Sequence, residues 1–285
     1  MALRSSLRAA VGALGRNPVI FAVTGLLALV QLPQLLAQWA GPLASVAVSL
    51  LFTVVYVVAV PYVQGGLIGM ADEALDGPTS LSTFHGAGVS HYVDILVAYL
   101  LVFAGNLVVG GALFVLGMVA LLAGLGGGAG TTVLVVVAVA GGVFGLAYLV
   151  VLAFIQFYGQ AIVVDDVGGV DGLKRSVATV RANLWQVALY TVFVGVLGGV
   201  FGVVGGAASL LLSPDLPNGL PLPEATPAVA VVGAAAYVVL TTLFSALFLT
   251  FSVAFYRSIR GDDADRGGPN GADADVDADS ANPAV

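Results

Sequence analysis

Six apolar stretches in this chain are each long enough to cross a bilayer, and that leaves few folds open. Crossing about 30 Å of hydrocarbon at about 1.5 Å per residue takes roughly 20 residues of helix. The stretches fall at 18–40, 43–70, 92–124, 132–164, 185–212 and 228–256. The expected fold is all-α: a polytopic membrane protein of six transmembrane helices. Several stretches exceed the minimum, so tilted helices or extensions beyond the bilayer are expected. Pro33 and Pro61 fall inside the first two spans and are expected to kink them.

Composition supports lipid as the solvent. Hydrophobic residues make up 59% of the 285 and charged residues only 9%, against roughly 45–50% and about 25% in soluble domains. So few charges cannot cover the surface of a water-soluble globule this size. With no cysteine, disulfides, thiolate zinc sites and cysteine nucleophiles are all excluded.

The net charge of −7 is segregated, because seven of the sixteen acids lie between Asp262 and Asp279. Residues 257–285 therefore read as an acidic tail, disordered from Gly261 on, with too little apolar surface to offset chain entropy. Asp273, Asp275 and Asp277 mimic the start of a calcium loop, but the required glycine is Ala278 and the distal glutamate is missing. The acidic tail and the single lysine against eight arginines point to a salt-adapted organism.

Basic residues set the expected orientation. Arg4, Arg8 and Arg16 precede the first span, Lys174, Arg175 and Arg181 lie between the fourth and fifth, and Arg257, Arg260 and Arg266 follow the sixth. The opposite loops, around Gly41, Gly126 and Asn218, carry none. The positive-inside rule then puts both termini in the cytoplasm of a cell-membrane protein. The N-terminal pattern has signal-peptide features, but its apolar run is longer than a signal core and lacks an Ala-x-Ala site, so a retained helix is expected.

Two basic segments are amphipathic. Leu3, Leu7, Val11 and Leu14 share a helical face flanked by Arg4 and Arg8, within a helix expected over 1–17. Leu173, Val177, Val180 and Leu184 repeat that spacing, flanked by Lys174 and Arg181, within 169–185. Both read as in-plane helices, apolar side to lipid or to the bundle rim and cations to headgroups. They also align: Leu7-Arg8-Ala9-Ala10-Val11 matches Leu173-Lys174-Arg175-Ser176-Val177, and ten residues after each leucine stands Asn17 or Asn183. A weaker copy, without cations, runs from Leu81 through Phe84 and Gly88 to Tyr92. The chain then reads as three units, each an in-plane helix followed by a transmembrane hairpin, with the six spans forming a transmembrane domain over 18–256.

The second basic segment carries a resemblance. Leu173, Lys174, Arg175 and Ser176, followed by Arg181, Asn183 and Trp185, resemble the signature of six-helix membrane domains of the glycerophosphoryl diester phosphodiesterase type. Uncharacterised haloarchaeal membrane proteins are similar. The resemblance implies a six-helix architecture and a membrane location. It carries no catalytic residue across, since no soluble phosphodiesterase domain is appended.

Candidate chemistry is sparse. The spans contain no deeply placed ionisable residue, which argues against proton relays, charge-coupled pumps and voltage sensors. His85, His91 and Asp94 cluster in sequence but read as interfacial polar residues, and no metal, cofactor or nucleic acid is expected. Gln31, Gln34, Gln38, Gln64, Gln156 and Gln160 fall within spans and are candidates for interhelical hydrogen bonds or a polar path. Glycines spaced by four, at 65/69, 141/145, 195/199, 198/202 and 202/206, read as close-packing faces or a dimer interface.

The function expected is non-enzymatic: organising membrane or a protein partner through the basic helices, at Leu173, Lys174, Arg175, Ser176, Arg181, Asn183 and Trp185. The alternative is a permease for a small neutral or lipidic solute. An intramembrane lipid-modifying enzyme ranks third, with only His85, His91 and Asp94 to serve it.

Overall fold

A computed structural model of the chain describes residues 2–36, 41–125, 131–210 and 226–260. Gln38, the 126–130 loop, Asn218, Arg266 and the acidic tail beyond Arg260 lie outside them. Among the described residues ten helices follow in order: α1 (Ala2–Arg16), α2 (Pro18–Leu36), α3 (Pro42–Asp76), α4 (Leu81–Ser90), α5 (Tyr92–Leu125), α6 (Thr131–Ile155), α7 (Tyr158–Val164), α8 (Gly169–Ala182), α9 (Leu184–Leu210) and α10 (Pro227–Arg260). The described residues include no strand.

Among the described residues five segments are long and apolar enough to span a membrane on their own: 43–76, 92–122, 135–164, 184–203 and 231–260. The sixth candidate is the pair α1 and α2, which qualifies only taken together and is bent by 88° at its junction. Such a bend lets α1 lie in the plane of the membrane if α2 crosses it. Pro33 and Pro61 both lie inside continuous helices.

The fourth apolar stretch is not one helix. It breaks between α6 and α7, and Ser176 of α8 fills the break. Its hydroxyl donates to the Phe154 carbonyl (2.9 Å) and accepts from the Phe157 amide (3.1 Å). Those two groups are the kind that a helix break orphans, and leaving one unpaired in a buried place costs about 1–3 kcal/mol.

Three junction side chains make matching hydrogen bonds. Asn17, His91 and Asn183 each stand at the junction between a shorter helix (α1, α4 or α8) and the longer helix that follows it. Asn17 donates to Ala13 O (2.9 Å) and to Gly77 O (3.1 Å), just past the end of α3. Asn183 donates to Thr179 O and to Ile259 O, near the end of α10, both at 3.1 Å. His91 sets Nδ1 3.1 Å from Ala87 O and Nε2 3.3 Å from Asp166, just past the end of α7. Each junction side chain therefore reaches four residues back and also ties down the end of its own unit's hairpin. At the middle junction Asp166 takes the left-handed conformation (φ 52°), and Val167 N–H closes on Ile162 O in a Schellman-type stop.

α1 and α8 dock mainly through small residues, and most of the leucine and valine stripe stays at the flanks or exposed. The buried positions are Ser6, Ala10, Ala13 and Leu14 in α1, and Gly169, Gly172, Ser176 and Val180 in α8. In the alignment of the two segments Ser6, Ala10 and Leu14 correspond to Gly172, Ser176 and Val180. Val11 and Leu184 are exposed, while Leu7, Leu173 and Val177 are half-buried at the flanks. The third copy, α4, lies against α3, where a Cβ at Gly69 would stand 2.4 Å from Ala87 Cβ.

The other glycine pairs make no such close approach among the described residues: a Cβ at 141, 145, 195, 198, 199 or 202 would meet nothing within 4 Å.

Packing is concentrated near the end of the bundle that carries α1, α4 and α8. There Phe157, Tyr190, Phe251, Phe255 and Tyr256 form an aromatic core, with the Tyr190 and Phe255 rings stacked at 4.4 Å. Farther along the spans, most described valines and leucines are exposed, as lipid-facing helices require.

Candidate functional site

α8 begins after Gly168, with Asp171 in its first turn and Arg181 in its last, both favourable to the helix dipole. Two glycines bring it close to its neighbours. A Cβ at Gly169 would lie 2.2 Å from the Asp94 carbonyl oxygen of α5, and one at Gly172 would lie 2.4 Å from Ile162 of α7. The Gly169 amide also donates to the Asp94 carboxylate (3.1 Å).

Seated this way, α8 turns a different face to the space between α5 and α6. There the structure has a groove of about 760 Å³. Leu101 and Val109 of α5 and Phe144 and Val151 of α6 represent its largely apolar walls, and Leu173, Lys174, Val177 and Arg181 close one end. Its polar feature deep in the spans is Asn106, whose side-chain oxygen accepts from the Tyr148 hydroxyl. An apolar slot between spanning helices, with two cations at its mouth, can take an acyl chain and an anionic headgroup together.

The sequence-predicted contact residues divide into two sets. Lys174, Arg181 and Trp185 are exposed, and Leu173 lines the groove. Lys174 also pairs with Asp171 at 2.8 Å, both well solvated. Trp185 is 75% exposed, suited to the interfacial zone where indole rings settle. Arg175, Ser176 and Asn183 hold the fold instead. Arg175 Nε donates to Asp165 (3.0 Å), and the other two make the backbone bonds described above.

Asp165 escaped the sequence reading. Its side chain is only 5% exposed, yet it pairs with Arg175 and Arg260 and accepts from the Tyr256 hydroxyl at 2.6 Å. Arg257 is the second hub. It pairs with Asp76 at 3.1 Å and with Asp72 at 3.4 Å. The terminal arginines of the third unit thus join the acids ending the first two hairpins. The available signal was Asp72 and Asp76, four apart at one helix end, matched by Arg257 and Arg260 at another.

The glutamines do not form one line. Gln64, Gln156 and Gln160 face a common chamber of about 400 Å³. Gln31 accepts from Tyr237 (3.0 Å), and Gln34 is exposed on α2. His85, His91 and Asp94 have separate partners: Tyr62 with His85 (2.9 Å), Asp166 with His91, and Gly169 with Asp94. Among the described residues no three His, Asp or Glu side chains gather as a metal site would need.

One family description, Domain of unknown function (DUF7847), matches residues 1–259. No curated protein and no solved structure matches the chain. Since the match takes in nearly the whole chain, from α1 almost to the end of α10, the chain belongs to the family defined by this domain of unknown function, DUF7847.

Proposed function

We propose that this is a non-enzymatic membrane protein that organises lipid by holding an anionic phospholipid in the groove between α5 and α6. The observation that carries the reading is the coincidence of an apolar slot with Lys174 and Arg181 at its mouth. The positive-inside asymmetry supports placing that mouth, and both termini, on the cytoplasmic side of the cell membrane. The likeness of residues 173–185 to phosphodiesterase-type membrane domains supports the membrane location and brings no catalytic group. The separate engagements of His85, His91 and Asp94 favour this reading over a lipid-modifying enzyme.

The test is lipid retention by the purified full chain, read by native mass spectrometry from mixed phosphatidylglycerol and phosphatidylcholine. Phosphatidylglycerol should be retained preferentially. The double variant Lys174→Ala/Arg181→Ala should weaken retention by roughly 30-fold at low salt, taking about 1 kcal/mol per surface cation. The effect should shrink as salt rises. Arg4→Ala/Arg8→Ala, on the equivalent flank of α1 but away from the groove, should change little. Equal retention of both lipids by the native chain and both variants would refute the reading.

A further inference from the structure

Membrane interiors tolerate amides only where these find partners or line a wet cavity. The chamber between α3, α7, α9 and α10 gathers three of them, Gln64, Gln156 and Gln160, with Ser252 and Tyr190. Its lining contains no charged side chain and shares no residue with the groove between α5 and α6. It also adjoins the break between α6 and α7, a place where irregular backbone inside a membrane normally lines a cavity.

The hydrogen bonding there is half used. Gln160 donates its amide to the Ser252 hydroxyl (3.0 Å). Gln64 accepts from the Tyr158 hydroxyl (3.3 Å). Gln156 is occupied by Ala153 O and the Thr191 hydroxyl. Among the described residues, the Gln64 amide nitrogen and the Gln160 side-chain oxygen have no partner. Gly159 leaves the space that Gln64 occupies, since a Cβ there would stand 2.5 Å from the Gln64 amide nitrogen. A free donor and a free acceptor thus flank a volume large enough for several water molecules or one small solute.

We infer that this chamber is a binding site for a small uncharged polyol, held between the Gln64 amide and the Gln160 carbonyl. Such a solute offers hydroxyls that both accept and donate, which matches the two free groups. An ion would enter without a counter-charge, at a large desolvation cost. The inference is independent of the lipid groove, and either can fail alone.

Because the chain has no cysteine, engineered thiols report the chamber cleanly. Val63→Cys on α3 and Val194→Cys on α9, both lining the chamber, would be reacted with N-ethylmaleimide in the full-length protein in nanodiscs. Both should react faster than Val139→Cys on an exposed face of α6. Erythritol should protect both, slowing the reaction about tenfold at ten times its dissociation constant. It should leave an exposed Ala182→Cys unaffected, and sodium lactate should not protect. Adding Gln160→Leu should abolish protection without slowing the unprotected reaction. If one thiol variant fails to fold, the other gives the same reading. Chamber thiols as slow as Val139→Cys, reaction without erythritol protection, or equal protection by lactate would each overturn the inference.

Discussion

Asp165→Ala is expected to destabilise the protein by about 3–5 kcal/mol, the usual consequence of breaking a buried ion pair from one side. Asp165 is 5% exposed and answers Arg260, whose side chain is 19% exposed, as well as Arg175 and the Tyr256 hydroxyl. Removing the carboxylate leaves Arg260 largely buried at the meeting point of the second and third hairpins. Arg175→Ala removes only a half-exposed partner and should cost about 1 kcal/mol or less. Thermal unfolding in detergent distinguishes the two. Equal midpoints for Asp165→Ala and Arg175→Ala would show that Asp165 is a solvated rim charge and that the hub holds nothing together.

Gly169→Ala should have the next largest effect, although it adds one methyl group. That methyl would lie 2.2 Å from the Asp94 carbonyl oxygen and 3.3 Å from the Ala98 amide nitrogen. Both belong to the α5 backbone, so no rotamer change relieves the clash, and α8 must lift away from α5. Overpacking of this kind costs about 1–3 kcal/mol, sometimes more. It would also displace Lys174 and Arg181 from the groove, so phosphatidylglycerol retention should fall together with the unfolding midpoint. Gly198→Ala is the contrasting case. A Cβ there meets nothing within 4 Å, and replacing a mid-helix glycine should gain about 0.5–1 kcal/mol. A loss of stability at Gly198→Ala comparable to that at Gly169→Ala would mean that the open glycine face of α9 packs against a second copy of the chain.

These two substitutions also mark where sequence reasoning reached and where it stopped. The spans were legible because lipid leaves a composition signal over tens of residues. The likeness of α1 to α8 was legible because Leu7 and Leu173, each with an asparagine ten residues on, stand in matching positions. His91, ten residues after Leu81, was the weak member. Its imidazole occupies the place of an amide, and only the shared bond to the carbonyl four residues back shows the equivalence.

The seat of α8 was not legible. Hydrophobic periodicity weights leucine and valine over glycine and serine, whereas close docking in a membrane bundle favours the smallest side chains. Nor could the sequence place the break in the fourth stretch, since the side chain that fills it, Ser176, lies 19 residues beyond Phe157. The arginines of α10 were read as topology markers, because a charge at a span end looks the same in sequence whether it faces water or an aspartate on another hairpin. Of the glutamines, Gln64 and Gln160 are joined at the chamber only by the fold, as no local spacing links α3 to α7.

The central claim is that one specific groove, rather than the whole apolar surface, selects lipid. Photo-cross-linking with a phosphatidylglycerol carrying a diazirine partway along one acyl chain, followed by peptide mapping, tests this directly. Adducts should concentrate on residues 101–109 of α5 and 144–152 of α6, and should fall sharply in Lys174→Ala/Arg181→Ala. Adducts spread evenly over the exposed faces of α3, α5, α6, α9 and α10, and unchanged in that variant, would contradict the account.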